Sequence, residues 1–429
     1  MINLNKEISE VTMPSSFNAQ LKEYRTKGLQ KYKESGLPGK KVEHWMKFDI
    51  TPLKSISYKE GLSKKDVTIP EINQEFSSFC SRINIINGFV NLNDKEKEKE
   101  KFSDYYNLST VSSDSQQAEI AKLMGTAGDN RGNYFYNLNS SLFSDPLLIS
   151  VNNDKEKPPL YLAQMVLNGS DSIISNSRII IEVQEGASLD LIQSFSGDSL
   201  NPYLNNSVTE IILHKNARLN HLVLQEDSDN AYVFNNLFVK QLENSEYNGQ
   251  TLIAGAAISR NEYDISLDEE NCRTTVTSLF LGKGNQLHNS DVTIHHEAPN
   301  CTSRTITKAI AGGTSQGVFR GFAIVQRDAQ KSDAVQQFKT MLLNDKCQVN
   351  MEPHLEIWAD DVKCSHGVTV GQLDPDQLFY VQSRGYTPED ARKILLEAFA
   401  ADVAESISID KVDEIIKTRI YKLMENLYE

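Results

Sequence analysis

Cys364 and His366 stand two residues apart in the run Asp360-Asp361-Val362-Lys363-Cys364-Ser365-His366-Gly367. Along an extended chain, side chains two apart share a face. A thiolate and an imidazole projecting together from the rim of a sheet form a soft two-donor site, suited to zinc, iron or an iron–sulfur cluster. A closed zinc site takes four ligands, so two do not complete one. Any metal or cluster held here needs further ligands from another chain.

Two other groupings invite chemistry. His295-His296-Glu297 is followed by Cys301. On a strand, adjacent histidines face opposite ways and cannot ligate one ion from one element, so structural roles are expected. The acids Asp264, Asp268, Asp291 and Asp360 suit a β-helix carbohydrate-active enzyme only if they converge in one groove, where two carboxylates can flank a bond. The glycines near Lys40 and Lys283 lack the spacing and the Ser/Thr of a phosphate loop, so the chain is not expected to hydrolyse ATP. HExxH and kinase signatures are absent from the sequence.

The elements that must position Cys364 and His366 read as strand. Leu355 and Ile357 alternate before the double-Asp turn, and Val362, Cys364 and His366 alternate after it. From Leu147 to about Gly371 the chain consists of short alternating runs, such as Arg178 to Val183 and Thr274 to Leu281, with Asn, Gly and Asp between them. Glu185-Gly186-Ala187-Ser188-Leu189 is echoed 30 residues on by Lys215-Asn216-Ala217-Arg218-Leu219. Gly186 and Asn216 fill the same slot, one that suits a left-handed turn. Such a repeat predicts stacked units that bury one continuous core. A parallel β-helix and a β-sandwich both fit; Asn248-Gly249 is the main hairpin signal here, and that scarcity favours the β-helix.

Helical patterns flank this region. Residues 1–146 read as mainly helical, with Phe17, Leu21, Tyr24 and Leu29 at helical spacing over the first 50 or so residues. Short helices are expected over Gln116 to Met124 and Tyr134 to Phe143, a strand with an Asn-Gly turn over Ile83 to Val90, and a packing role for Trp45. The alternating charges of residues 94–101 predict a solvated loop. After the β region (147–371), residues 372–429 hold a short helix near Asp376, a helix opened by Thr387-Pro388-Glu389-Asp390, and another from about Lys411. The last two pack on each other, offer a face to a partner, or do both.

The 429 residues suffice for two or three domains. A net charge of −14 argues against nucleic acid or an anionic membrane as main partner. Five scattered cysteines without a CxxC pair predict a reducing compartment. No signal or transit segment is visible at the N-terminus and no run approaches a membrane span, so the cytoplasm is expected.

The run from Leu355 to Gly367, with Gly371, Leu378-Phe379-Tyr380 and Ser383-Arg384-Gly385, resembles the C-terminal signature of the SufB/SufD family of iron–sulfur cluster assembly proteins. His296, Pro299, Ser303-Arg304, Lys308, Phe319-Arg320-Gly321, Gln330-Lys331 and Met341-Leu342-Leu343 agree with it, and the surroundings of Trp45 do so more loosely. Cys347 and Glu352-Pro353-His354 depart from it. His366-Gly367-Val368, where SufB-type sequences carry His-Glu-Ala, and Gln337-Phe338, where they carry Gln-Cys, place the resemblance on the SufD side.

The resemblance implies a mostly β fold, a right-handed parallel β-helix between N- and C-terminal helical regions. It implies a non-catalytic scaffold subunit that pairs with a SufB-type paralogue through the β-helix and docks a SufC ATPase on the C-terminal helices. A transient iron–sulfur cluster would form at the interface with SufB, with Cys364 and His366 as cluster-assembly residues and shared metal ligands. No cofactor is expected in the isolated chain. The alternatives are a homodimeric SufB-like scaffold holding its own cluster and the carbohydrate-active enzyme.

Overall fold

A backbone slot that only Gly and Asn occupy easily recurs through the middle of the chain and sets its architecture. Gly186, Asn216, Asn244, Asn271 and Asn300 all lie in the left-handed region, with φ between 58° and 68°. Their N–H groups donate to the carbonyls of Lys215, Glu243, Glu270, Pro299 and Gln330, each one coil further on, at 2.9–3.3 Å. Each turn is therefore hydrogen-bonded to the same turn of the next coil. The computed structural model describes residues 2–4, 12–39, 42–61, 74–76, 78–91, 106–128, 131–153, 156–167, 169, 171–198, 200–425 and 427. The alternating charges of 94–101 lie outside them.

The coils are two strands each. One sheet stacks β1 (Leu147–Val151), β3 (Arg178–Val183), β5 (Tyr203–Leu213), β7 (Ala231–Gln241), β9 (Ile258–Leu267), β11 (Leu287–His296), β13 (Gln316–Val325) and β15 (Gln348–Ile357). The other stacks β2 (Leu160–Val166), β4 (Ser188–Gly197), β6 (Arg218–Gln225), β8 (Glu246–Ala254), β10 (Arg273–Gly282), β12 (Thr302–Ala311), β14 (Asp333–Leu342) and β16 (Lys363–Gln372). All these neighbours pair parallel and in register, in a solenoid of about eight turns. The parallel β-helix is thus the fold, and the echo 30 residues apart is its step: Leu189 pairs with Leu219.

Alternate side chains point inward. Along one half of the bore they are apolar, as Leu189, Leu191, Leu219, Ile211, Val239, Ile265 and Ile294. Along the other they are polar and mutually bonded: Gln193 donates to Thr209 at 3.0 Å and meets the His221 ring at 3.1 Å. Outward-facing apolar residues seat the helices. On the odd-numbered sheet lie α1 (Ala19–Ser35), α2 (Asp114–Leu123) and α3 (Tyr134–Leu142). Phe135 of α3 stacks on Phe234 with Trp45 beside both, so Trp45 is a packing anchor. Of the first 50 residues, the main helix is α1; Gly36 and Pro38 follow its end as glycine and proline dictate.

The even-numbered sheet carries α5 (Pro388–Glu405) and α6 (Asp413–Glu425), after the short α4 (Pro375–Gln382). Leu222, Leu252, Leu279 and Ile310 pack there against Leu396, Ala400, Ile416 and Ile420. Thr387 caps α5 by accepting the Asp390 N–H at 3.1 Å, as its sequence predicts. Strands from before residue 147 also join the solenoid. Ser81–Ile86 extends the even sheet beside β2 and turns back through Asn87-Gly88 into Phe89–Asn91, with φ of 55° and 86°.

The N-terminal helices are tied down by Arg178 of β3. Its fully buried guanidinium pairs with the equally buried Glu210 and donates to the Tyr136 and Tyr24 hydroxyls at 3.0 and 2.9 Å. Breaking one side of such a pair strands a charge, whereas replacing both sides does not. Glu210→Ala is therefore expected to destabilise the chain by ~3–5 kcal/mol. The double variant Arg178→Met/Glu210→Leu should recover most of that loss, as read from urea unfolding curves followed by circular dichroism.

Candidate functional site

The last coil, β15 and β16, is where Cys364 and His366 lie, and register fixes which way they point. Cys364 pairs with Ala334 and His366 with Gln336 of β14. Ala334, Gln336 and Phe338 are buried in the bore. Cys364, His366, Val368 and Val370 continue that inward row, but no further coil covers them. His366 is exposed, Val368 and Val370 are 43% and 48% exposed, and Cys364 is half-buried. Opposite them, Leu355 and Ile357 of β15 continue the inward row of Ala323 and Val325. Trp358, in the turn between the strands, is 63% exposed. The end of the bore is an apolar rim with one thiol and one imidazole set into it.

Cys364 packs beside Val325, Ala329 and Ala359. Burial against this cluster is the main cause holding its thiol above the ordinary cysteine range, and the nearby Asp333 adds to it. The two donors share a face, as their spacing predicts. Among the described residues, no three His, Cys, Asp or Glu side chains converge in a way that could hold a metal ion. Among the described residues, the rim thus offers Cys364 and His366 without a third ligand beside them.

The other sequence candidates are separated. His295 faces outward and meets Asp264 at 3.3 Å, while His296 is sealed in the bore between Ser303 and Ser332 at 2.8 and 3.1 Å. Cys301 donates to the Glu269 carbonyl at 3.3 Å, and Cys347 to those of Ala311 and Asn344. Among the acids, Asp264 and Asp291 line one cleft of about 340 Å³, with Trp45, Arg131 and Arg260. Arg131 pairs with Asp264, and Arg260 and Arg320 with Asp291. Asp268 pairs with Lys240 and Asp360 sits on an exposed turn; neither lines that cleft.

Several motif residues prove architectural. Lys308, buried on the outer face of β12, donates to the Phe399 carbonyl at 2.6 Å and pairs with Asp402, anchoring α5. Arg320 joins Asp291 to the His44 carbonyl, pinning the N-terminal segment. At Gly321 a Cβ would come within 2.6 Å of the Phe338 ring. Sequence reasoning missed the rim residues Trp358, Val368 and Val370; the signal was an uninterrupted apolar row in the final strand with no later repeat to cover it.

Residues 165–399 match the family described as SUF system FeS cluster assembly, SufBD core domain, and residues 2–158 match the SufBD protein N-terminal region. An iron–sulfur cluster assembly SufBD family protein of Synechocystis is 31% identical over 389 residues, 87% of this chain and 84% of the relative. The iron–sulfur cluster assembly protein SufD of Escherichia coli is 25% identical over 395 residues, 91% of this chain and 90% of the relative. A chloroplastic protein of Arabidopsis thaliana, ABCI7, is 31% identical over 304 residues, 68% of this chain and 63% of the relative.

Two outcomes test this geometry. Iodoacetamide applied to the native chain should alkylate Cys364 well before the buried Cys272, Cys301 and Cys347; peptide mapping over time reads the order. The bore also sets a pH limit. Burial lowers the pKa of His221 to about 3 and those of His288 and His296 to about 4. Unfolded histidines take up protons below about 6.5, while these stay neutral. Stability is therefore full above that value and falls as pH drops toward 4. Thermal midpoints across this range should show the loss, with a shallower slope in His296→Asn.

Proposed function

The chain belongs to the SufB/SufD family of iron–sulfur cluster assembly proteins, and we propose on that premise that it is a SufD-type scaffold subunit of a SufB–SufC–SufD complex. The observation that carries the reading is the inward row of β16, which ends at an uncovered coil and presents a thiol and an imidazole there. In this reading a SufB-type paralogue covers the rim and supplies the missing ligands. Cys364 and His366 then hold part of a nascent cluster, which is cargo and leaves for a recipient protein. A ten-residue parallel edge flanked by exposed apolar side chains suits β-augmentation or end-to-end packing by another chain.

The C-terminal helices, residues 372–429, are proposed as the docking region for a SufC ATPase. Residues 147–371 form the paralogue-pairing β-helix and 1–146 a mainly helical N-terminal region. The sequence lacks a phosphate loop, which fits ATP hydrolysis by the partner and a non-catalytic role for this chain. The cytoplasm is the proposed location; no helix among the described residues is long and apolar enough to cross a membrane.

The test is co-expression with a SufB-type paralogue and a SufC-type ATPase, followed by anaerobic purification. His366→Ala should leave the circular dichroism spectrum and co-purification unchanged, while bound iron, sulfide and the visible absorbance of the cluster fall at least tenfold. Undiminished cluster content in that variant would remove His366 from the site. Reconstitution of the isolated chain with iron and sulfide should give no stable chromophore. A stable one would favour the homodimeric scaffold.

A further inference from the structure

The fold divides the grouping of His295, His296 and Cys301 and gives Cys301 a different neighbour. Cys272 and Cys301 immediately precede Arg273 and Thr302, which pair in register in β10 and β12. The Thr302 N–H donates to the Cys272 carbonyl at 2.9 Å. Both thiols donate to the same acceptor, the Glu269 carbonyl, at 3.1 and 3.3 Å. They therefore lie side by side, one on each of two consecutive coils, in the slot that Ser245 and Ser332 fill in the coils before and after. Adjacent strands lie ~4.8 Å apart, inside the ~4.4–6.8 Å between Cα atoms that a disulfide spans. The turn over them, Glu269 to Asn271, is exposed.

We propose that Cys272 and Cys301 are a reversible dithiol, closed to a disulfide by hydrogen peroxide and reopened by a thiol reductant. The Cys272 sulfur attacks one peroxide oxygen, and the O–O bond breaks. The other oxygen leaves as water with the thiol proton, and Cys272 becomes a sulfenic acid. The Cys301 sulfur then attacks the Cys272 sulfur and the S–O bond breaks. Hydroxide departs with the Cys301 proton as a second water. Two electrons leave the thiols and reduce one peroxide to two waters. The close interaction of the two sulfurs favours this order, since it holds Cys272 below the ordinary thiol range and Cys301 above it. The product is neutral, so closing it strands no charge in the buried turn. The linked strands, β10 and β12, carry Leu279, Leu281 and Ile310, on which α5 and α6 rest. Oxidation would stiffen the two coils beneath the C-terminal helices. This inference does not depend on the scaffold reading.

The full chain is treated with hydrogen peroxide at pH 7, quenched, alkylated with iodoacetamide under denaturing conditions and digested without reduction. The expected result is one cross-linked species joining the Cys272 and Cys301 peptides, two hydrogens lighter than the pair and cleared by dithiothreitol. The oxidised chain should also melt at a higher temperature. Cys272→Ser and Cys301→Ser should each abolish the cross-link and the shift. Serine already fills this slot in neighbouring coils, so both variants should keep the circular dichroism spectrum of the parent. Alkylated Cys272 and Cys301 after peroxide, oxidation that stops at sulfinic acid, or cross-links to other cysteines would each overturn the proposal.

Discussion

A coil of a parallel solenoid satisfies its backbone donors and acceptors only through the coils on either side of it. Each strand from β4 to β14 is paired on both sides, and the left-handed column from Gly186 to Asn300 extends that pairing through the turns. A finite stack must fail to meet it at both ends. The two ends are treated differently. At the first, antiparallel pieces close the edge: Asn107–Ser109 lies on β1, Phe89–Asn91 on Ser81–Ile86, and Ile2–Asn3 on Ser57–Glu60. At the last, β15 and β16 present two ten-residue edges with Trp358 exposed between them. Edges of that length are ordinarily shortened, charged or covered. A site at this end inherits its openness from the stack and needs no cavity of its own.

The flanking helices reinforce this division, because they seal the sides of the solenoid and leave the end alone. Buried charges fix them. Arg178 with Glu210 holds α3 to the first coils, Arg260 and Arg320 with Asp291 hold the Trp45 segment to the middle, and Lys308 with Asp402 holds α5. Where both partners are buried, as in Arg178 with Glu210, such a pair adds directional specificity more than net stability. Apolar burial, as of Phe135 on Phe234, supplies the larger share of the attachment.

Much of this was legible in the sequence. The 30-residue echo gave the step, the Gly/Asn slot gave the turn, and Thr387-Pro388 gave the start of α5, because each rests on a local steric or hydrogen-bonding rule. The shared face of Cys364 and His366 followed from their spacing alone. Their membership of the inward row did not, since that depends on which residue of β14 each one pairs with. The neighbour of Cys301 was hidden for a related reason. Successive coils differ in length, so that Arg218 pairs with Glu246 while Asp333 pairs with Lys363, and residues stacked in space keep no constant separation in the chain. The anchoring role of Lys308 was out of reach too, because its carboxylate lies 94 residues away on a helix.

The position of Cys364 at the margin of burial has a chemical consequence. On the proposed reading a metal or cluster takes the Cys364 thiolate, so loading would require loss of a proton. Contact with Val325, Ala329 and Ala359 disfavours the charged form and keeps the isolated chain's sulfur as the thiol. A lone thiol of this kind is a poor nucleophile and a poor ligand, which protects it from stray metals and oxidants. A cation brought close by a second set of ligands reverses the balance, because its charge stabilises the thiolate more than desolvation opposes it. The neighbouring His366 is more exposed and meets an incoming cation with less of its surface covered. On the proposed reading the imidazole can engage first and the sulfur last, so that covering the rim and completing the coordination sphere become a single event.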